Sequence, residues 1–353
     1  MIAMISLPTF FVLTSEGESV LPDSMQQKIT HNRRKDSMLY LDANVCLDLL
    51  NYFNGAGLMD DKITNVETLI FFCQHYKISV VPKFGAMELS TNRELKTLDL
   101  NKYQDIVNKI TYVFDKPLSR SEKLKEWNPP YTVEVNQMDI LSFNAFYPLL
   151  LISYVTLLEL YIICKENNPR EANIRQNLER FCHWCEYELN TSMASEILLA
   201  TRIFGGVSEF RRMVDLDKKT ASVNGVLQTI WGTAWDFFHM RMLHLSDINP
   251  DIDHKTYLIT QDKNIFSLFK SCNLEGAVTF SGTPSRSFVS SELKLHYKND
   301  LASSVIEDVL EEFFVKRTTK KLLDGEFDIE SVYRIKNELE RDIQGLIMKD
   351  QLA

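Results

Sequence analysis

Short blocks of consecutive apolar residues occur at three places in the chain, and each predicts a buried β-strand. The blocks are residues 37–42, 78–82 and 256–262, which read "SMLYLD", "ISVVP" and "TYLITQD". Each block is too short for a typical helix and ends at Pro or Asp, which is typical of a strand inside a sheet. A fourth block, "GAVTF" at 276–280, predicts a further strand.

Between these blocks, apolar residues recur at the spacing of amphipathic or buried helices. This spacing predicts helices at 43–53, 60–77, 83–90, 225–245 and 263–274. Strands that alternate with helices favour a parallel sheet with right-handed crossover connections. The pattern therefore predicts an α/β fold with a central, mostly parallel sheet.

The organisation along the chain is less regular than a single run of alternating strands and helices. We predict a loosely ordered N-terminal lead at 1–36 and the first part of the α/β domain at 37–90. Residues 91–224 are mostly helical in pattern and predict a helical insertion. The α/β pattern resumes at 225–281, and residues 282–353 predict a C-terminal helical extension with two amphipathic helices.

Composition limits the classes of function that the chain can have. It has 353 residues, 45% of them hydrophobic, which is enough for one large globular domain or two smaller ones. The formal net charge is −9, with 48 acidic and 39 basic residues, so a broad basic coat for nucleic acid is not indicated. The six cysteines lie in apolar or helical segments, which favours reduced thiols in a cytosolic protein.

One segment has the length of a membrane span. Residues 143–163 read "FNAFYPLLLISYVTLLELYII", but they contain Pro148 and, near their end, Glu159. We favour a buried core helix here, with a membrane-associated protein as the weaker alternative. The N-terminal sequence lacks the basic region and cleavage site of a signal peptide, so we expect a cytoplasmic protein that does not use a membrane.

Acidic residues stand at or just after the ends of the predicted strands. Asp42 ends the first strand, Glu88 follows the second, and Asp262 ends the third, while Asp236 lies in a mostly apolar helix between two aromatic residues. The carboxyl ends of parallel strands meet at one edge of a sheet, so these carboxylates are expected to converge there. Clustered carboxylates repel each other unless a cation joins them, and Mg²⁺ or Mn²⁺ prefers oxygen ligands. Such a site suits hydrolysis of phosphodiester bonds.

Four motifs, taken in order, resemble those of the PIN-domain nucleases. They are "LYLDANVCLDLL", "VVPKFGAMELS", "TAWDFFHMRML" and "YLITQDKNIF". The resemblance implies a three-layer α/β/α fold, similar to that of flap-endonuclease-type nucleases. It also implies Mg²⁺- or Mn²⁺-dependent endoribonuclease activity, often used by toxins and RNA-processing factors. The metal-site acids that it implies are Asp42, Glu88, Asp236 and Asp262, with Asn44 and Thr260 as the supporting residues that orient them.

The resemblance covers roughly residues 37–90 and 225–281. The chain departs from the compact family pattern in its long insertion between the second and third acids. Because of that insertion, Asp139 or Glu159 could take the place assigned to Asp236. A toxin, a defence effector and a processing nuclease all fit the sequence.

Each acid also has an ordinary structural interpretation. Asp42 and Asp262 precede predicted helices, and Asp is a favoured N-cap residue. Glu88 suits an exposed position in the first turn of a helix, and Asp236 suits a satisfied polar position on a partly exposed helix. The alternative hypothesis is therefore a catalytically silent, PIN-like binding or scaffold module in a protein or RNA complex. The intact set of four acids favours the nuclease.

Basic residues close to the acids in sequence are candidates for binding a phosphate backbone. These substrate-binding candidates are Lys83, Arg93 and Lys263. RNA is the expected partner and DNA the alternative substrate, and a homo-oligomer or a regulatory protein partner is also compatible. The pair of cysteines in "CHWC" at 182–185 has no second Cys/His pair at a suitable distance, so zinc is not predicted.

Overall fold

The computed structural model describes most of the helices and strands of the chain. The described residues are 10–13, 37–55, 57–92, 94, 97–116, 127, 137–191, 194–218, 222–248, 255–270, 272–280, 286–293, 300–320 and 328–352. The chain divides into two compact units. The first unit comprises residues 1–145 and 239–290, and the second comprises residues 146–238 and 291–353.

A four-stranded sheet lies in the first unit. Its strands, in spatial order, are β1 (Phe11–Leu13), β6 (Lys255–Thr260), β2 (Ser37–Leu41) and β3 (Ser79–Val81). Strand β2 pairs in parallel with β3 on one side and with β6 on the other. In these pairs Leu39 lies opposite Val80 and Tyr257. Three strands therefore run in the same direction and end at the same edge of the sheet.

The three parallel strands confirm the predicted α/β character in its coarser form, although the chain as a whole is mostly helical. Strand β1 was not predicted, because it lies in the segment assigned to a loosely ordered lead. It pairs antiparallel with β6, so that Val12 lies opposite Ile259. The sheet is thus a mixed one with an antiparallel edge strand.

The strand predicted at 276–280 does not join this sheet. It belongs to β7 (Cys272–Phe280), which pairs with β8 (Arg286–Leu293) in a separate two-stranded sheet. Strand β7 begins earlier than predicted, so the helix predicted at 263–274 ends at Lys270. Strand β8 lies in the segment predicted as a helical extension. Local apolar pattern indicates a strand, but the partner of that strand is set by non-local packing.

Helices of the first unit pack against the four-stranded sheet and against each other. They are α1 (Ala43–Asn54), α2 (Asp60–Tyr76), α3 (Lys83–Ser90), α4 (Leu100–Asp115) and α9 (Lys263–Lys270). Two short strands, β4 (Thr91–Asn92) and β5 (Thr97–Leu98), form a hairpin between α3 and α4. Helix α4 packs against α1, α2 and α3, although its residues fall in the range predicted as an insertion.

Two long helices contribute residues to both units. They are α5 (Gln137–Glu166) and α8 (Val223–Ile248). Among the described helices, α5 alone is long and apolar enough to cross a membrane, over Phe143–Glu166, and 83% of that apolar window is buried inside the fold. Core helices of water-soluble proteins share this combination of length, composition and burial.

Helices also form the second unit. They are α6 (Ile174–Tyr187), α7 (Ala194–Phe204), α10 (Asp300–Lys320) and α11 (Ile329–Leu352), with two 3₁₀ helices at Glu171–Asn173 and Ser208–Val214. Helix α6 packs against α7 and α10. Residues 195–204 of α7 are all buried, so this helix lies inside its unit rather than on its surface.

Candidate active site

The candidate site lies in the first unit, at the edge of the sheet where the parallel strands end. Asp42 follows the last residue of β2 directly. Asp262 stands two residues after the end of β6, and Glu88 lies on α3, the helix that follows β3. The parallel direction of the strands is the reason that these three acids start from the same edge of the sheet.

Asp42 is held in place by hydrogen bonds of both its backbone and its side chain. Its N–H donates to the carbonyl of Ile259 in β6 (3.1 Å), and its Oδ1 accepts from the N–H of Val45 (2.8 Å) as the N-cap of α1. The residue is only 4% exposed. Its second oxygen, Oδ2, is buried and accepts no hydrogen bond from the part of the chain that the structure describes. Asp42 therefore serves as a helix cap and still has one carboxylate oxygen with its hydrogen-bonding capacity unused.

Gly85 allows α3 to lie directly against the end of β2. A Cβ atom at this position would stand 2.6 Å from the carbonyl oxygen of Leu41 and 2.8 Å from the backbone carbonyl carbon of Asp42. It would also stand 2.7 Å from Sγ of Cys46. Only glycine fits such an approach, and Glu88 comes one turn later on the same helix. The small residue thus determines how closely Glu88 approaches Asp42.

Glu88 has a partner that was not predicted for it. Its Oε2 lies 2.9 Å from Nε2 of His239, which is on α8. The Glu88 side chain is 19% exposed, whereas that of His239 is 2% exposed. His239 was not among the residues predicted for the site. A histidine placed directly between Phe238 and Met240 was the available signal, since a buried imidazole needs a hydrogen-bond partner.

Burial makes the charged forms of these groups unfavourable. It raises the pKa of Asp42, although the Thr260 hydroxyl, the Val45 amide and the nearby His239 partly oppose this rise. The pKa of Glu88 is raised well above its usual range, first by burial and then by repulsion from Asp42. Burial lowers the pKa of His239 to about 4, so its imidazole is neutral at pH 7. Two carboxyl groups are therefore held close together in a poorly solvated position.

Asp262 is positioned by the helix that follows it. Its Oδ1 accepts from the N–H groups of Asn264 (2.6 Å) and Ile265 (3.2 Å), as an N-cap of α9. Its own N–H donates to Oγ1 of Thr260 (3.0 Å). Thr260 is buried, and its hydroxyl also stabilises the charged form of Asp42. Thr260 thus contacts Asp262 and lies near Asp42, and its supporting role stays a prediction.

A buried acid on α1 was missed altogether. Asp48 is 5% exposed and forms an ion pair with Lys62, whose Nζ lies 2.9 Å from Oδ1 and 3.2 Å from Oδ2. The side-chain amide of Gln261 donates to Oδ2 of Asp48 at 2.8 Å. Gln261 lies between Thr260 and Asp262, so Asp48 contacts the segment that carries two of the predicted site residues.

The other predicted acids lie elsewhere along the chain. Asp236 is half-buried on α8 and belongs to the second unit, so its role in the site stays a prediction. Glu159, one proposed substitute, is also in the second unit, where its Oε1 lies 3.5 Å from Nη2 of Arg180. The side chain of Asp139, the other substitute, lies outside the described residues.

The remaining predicted residues are polar groups near the edge of the sheet. Asn44 is exposed in the first turn of α1. Lys83 is half-buried at the start of α3, and Lys263 is exposed at the start of α9. Arg93 lies outside the described residues. Lys83 is therefore the first residue of the helix that carries Glu88, and Lys263 is the first residue of the helix that follows Asp262.

Asp42 and Glu88 come together as a pair rather than as a complete set of ligands. Among the described side chains, no three His, Cys, Asp or Glu residues are close enough to hold a metal ion. Five cysteines are free and buried, namely Cys46, Cys73, Cys164, and Cys182 and Cys185 of "CHWC" on α6. This agrees with the predicted reduced thiols.

The chain matches no protein-family model, no curated protein sequence and no solved structure at a significant level.

Proposed function

We propose that the protein is a metal-dependent nuclease of the PIN type, an endoribonuclease that hydrolyses phosphodiester bonds with Mg²⁺ or Mn²⁺. One observation carries this proposal. Asp42 and Glu88 are two mutually repelling carboxyl groups at the carboxyl edge of a parallel sheet, and Asp42 Oδ2 is buried without a hydrogen bond from the described residues. The proposal also implies the three-layer α/β/α arrangement of PIN domains.

The chemistry of the pair fits a hard divalent cation. Folding has placed two carboxyl groups where both cannot be charged without cost, and a cation bound between them would remove that cost. Oxygen ligands from carboxylates are those that Mg²⁺ and Mn²⁺ prefer. A bound cation of this kind would lower the pKa of a water molecule and neutralise the charge that develops on the leaving 3′ oxygen. Asp42 and Glu88 would hold it, with Asp262 as a further ligand from the same unit.

The residues around the acids would limit their movement. The Val45 amide and the Thr260 hydroxyl keep the Asp42 carboxylate in place. The hydrogen bond to His239 orients Glu88. A neutral imidazole stabilises a charged Glu88 when its Nε2 carries the proton, because it then donates to the carboxylate without adding a charge. Fixed ligands of this kind are what a preorganised hydrolytic site requires.

Substrate binding would use a local surface. Lys83 and Lys263 stand at the first positions of α3 and α9, where the helix dipoles also favour a phosphate. The net charge of −9 means that an RNA-binding surface has to be small, and its affinity should fall steeply with added salt. A toxin, a defence effector or a processing nuclease in the cytoplasm would each fit this proposal.

A cleavage assay with matched variants tests the proposed activity. Purified protein is mixed with single-stranded and structured RNA in Mn²⁺, Mg²⁺ or EDTA, and the same is done with Asp42→Asn. Asp99→Asn is the control, since Asp99 is also an N-cap and accepts from the Lys102 N–H at 3.0 Å, but it is an exposed residue before α4 and lies outside the site.

The expected result is metal-dependent cleavage that leaves 5′ phosphates and 3′ hydroxyls. EDTA and Asp42→Asn should abolish cutting, and Asp99→Asn should leave it intact. If RNA is not cut, DNA is tested in the same way. A wild-type protein that cuts neither nucleic acid in either metal would support the alternative, a PIN-like binding or scaffold module.

A further inference from the structure

Asp48 is a buried acid that the proposed chemistry does not use. It lies on α1, six residues after Asp42, and is surrounded in sequence by the apolar residues of that helix. Burying a carboxylate is unfavourable even when it is paired, and an apolar side chain of similar size usually packs there at less cost. A role other than packing therefore has to account for it.

The contacts of Asp48 point to the segment after β6. Its Oδ2 accepts from the side-chain amide of Gln261 at 2.8 Å, while the backbone N–H of Gln261 helps to stabilise the carboxylate of Asp42. Gln261 is therefore held to α1 by its side-chain hydrogen bond to Asp48. Two residues earlier in the chain, the carbonyl of Ile259 accepts from the N–H of Asp42, so the segment is anchored before and at Gln261.

The two residues beside Gln261 are the ones with predicted roles. Thr260 accepts from the N–H of Asp262 at 3.0 Å, and Asp262 caps α9 through its Oδ1. A movement of Gln261 would therefore shift the Thr260 hydroxyl away from Asp42 and change the position of the Asp262 carboxylate. The hydrogen bond between the Gln261 side chain and Asp48 opposes this movement.

We infer that Asp48 and Gln261 are positioning residues, which fix the segment 260–262 against α1 and so determine where Asp262 stands relative to Asp42. Their importance for metal binding rests on the proposed function, but their effect on the segment does not. Lys62 has a different part, because its Nζ neutralises Asp48 through both carboxylate oxygens, at 2.9 and 3.2 Å, and it does not contact Gln261 among the hydrogen bonds described for these residues.

Hydrogen exchange of the full-length, metal-free protein tests the positioning directly. The variant Gln261→Met keeps the length of the side chain and removes its donor. Lys62→Met is the matched control, because Lys62 contacts the same carboxylate but not Gln261. Exchange is followed by mass spectrometry in peptides that contain the amides of Asp262, Asn264 and Ile265. Mn²⁺ affinity of each variant is then measured by calorimetry.

Gln261→Met should speed exchange of these amides by roughly fivefold or more, the equivalent of one lost hydrogen bond. It should also weaken Mn²⁺ binding by about tenfold, the effect expected of a residue that orients a ligand. Lys62→Met should lower global stability, because it leaves the buried Asp48 carboxylate without its cation. After correction for that loss, it should change the exchange of these amides and the Mn²⁺ affinity by less than about twofold. Asp48→Asn, which keeps an oxygen acceptor for Gln261, should behave like Lys62→Met. If Gln261→Met does not yield folded protein, Gln261→Ala repeats the test.

Unchanged exchange in a folded Gln261 variant would overturn the inference. Equal effects of Gln261→Met and Lys62→Met would also overturn it, because they would show only a general loss of stability. A wild-type protein that binds no Mn²⁺, together with faster exchange in Gln261→Met, would instead reject the nuclease and keep the positioning role.

Discussion

Replacing Gly85 by Ala should disturb both stability and the candidate site, because the space for one methyl group is absent. The new Cβ would lie 2.6 Å from the Leu41 carbonyl oxygen, whereas ordinary contacts begin at 3.4 Å. Helix α3 therefore has to move by about 0.8 Å, the difference between these distances, since Leu41 O belongs to the backbone of the central strand. That movement carries Glu88 away from Asp42.

The cost follows from overpacking, which destabilises proteins by about 1–3 kcal/mol. The better helix propensity of Ala returns at most about 1 kcal/mol. We therefore expect a net loss of about 1–2 kcal/mol in the free energy of unfolding. The matched control is Gly345→Ala on α11, where no atom of the described residues lies within 4 Å of the added methyl group. It should stabilise the protein by about 0.5–1 kcal/mol.

Urea unfolding, monitored by circular dichroism, compares the two variants with the wild type. Gly85→Ala should lower the midpoint, and Gly345→Ala should raise it or leave it unchanged. Cleavage activity, where present, should fall in Gly85→Ala alone. If both variants stabilise the protein equally, the close approach of α3 to β2 does not exist as described.

Three further predictions concern buried titratable groups. Asp42→Asn removes a desolvated charge and keeps the helix cap. It should therefore raise the stability of the metal-free protein at pH 8 by about 0.5–2 kcal/mol, as measured from urea midpoints, and a loss of stability would contradict this prediction. His239→Ala should cost about 2–4 kcal/mol of unfolding free energy, whereas His239→Gln, which keeps a donor for Glu88, should cost less than half of that. Burial raises the pKa of Glu159 from 4.5 to about 7, and the nearby Arg180 partly opposes this rise. The contribution of Glu159 to stability is therefore present below pH 4.5, where it is protonated, and is lost as the pH rises through 7. Glu159→Gln should therefore flatten stability between pH 5 and 8, by at most about 3 kcal/mol at the upper end, and an unchanged pH profile would refute the burial of this charge.

Local patterns predicted the elements of the first unit well. The strands expected at 37–42, 78–82 and 256–262 differ from β2, β3 and β6 by no more than two residues at either end. The helices expected at 43–53 and 60–77 are also confirmed. The predicted helices are long or strongly periodic, and the parallel pairing of the strands follows from the alternation of strands and helices. The edge location of Asp42, Glu88 and Asp262 then follows from strand direction alone.

Features that depend on partners distant in sequence were not predictable in this way. Strand β1 has three residues in a segment with little pattern, and only its pairing with β6 identifies it. Helix α4 packs within the first unit, although its sequence pattern is like that of the rest of the predicted helical insertion. The contacts of Glu88 with His239 and of Asp48 with Gln261 join residues more than 150 positions apart. A polar residue with apolar neighbours on both sides in the sequence was the available signal for both His239 and Asp48.

Binding of Mn²⁺ to the purified protein is the measurement that tests the central claim most directly. The electron paramagnetic resonance signal of free Mn²⁺ falls when the ion binds, so it can be followed for the wild type, Asp42→Asn and the N-cap control Asp99→Asn. We predict that the wild type and Asp99→Asn bind Mn²⁺ equally, and that Asp42→Asn weakens binding by at least about tenfold. Absence of binding to the wild type, or equal binding by all three proteins, would contradict a metal site at Asp42.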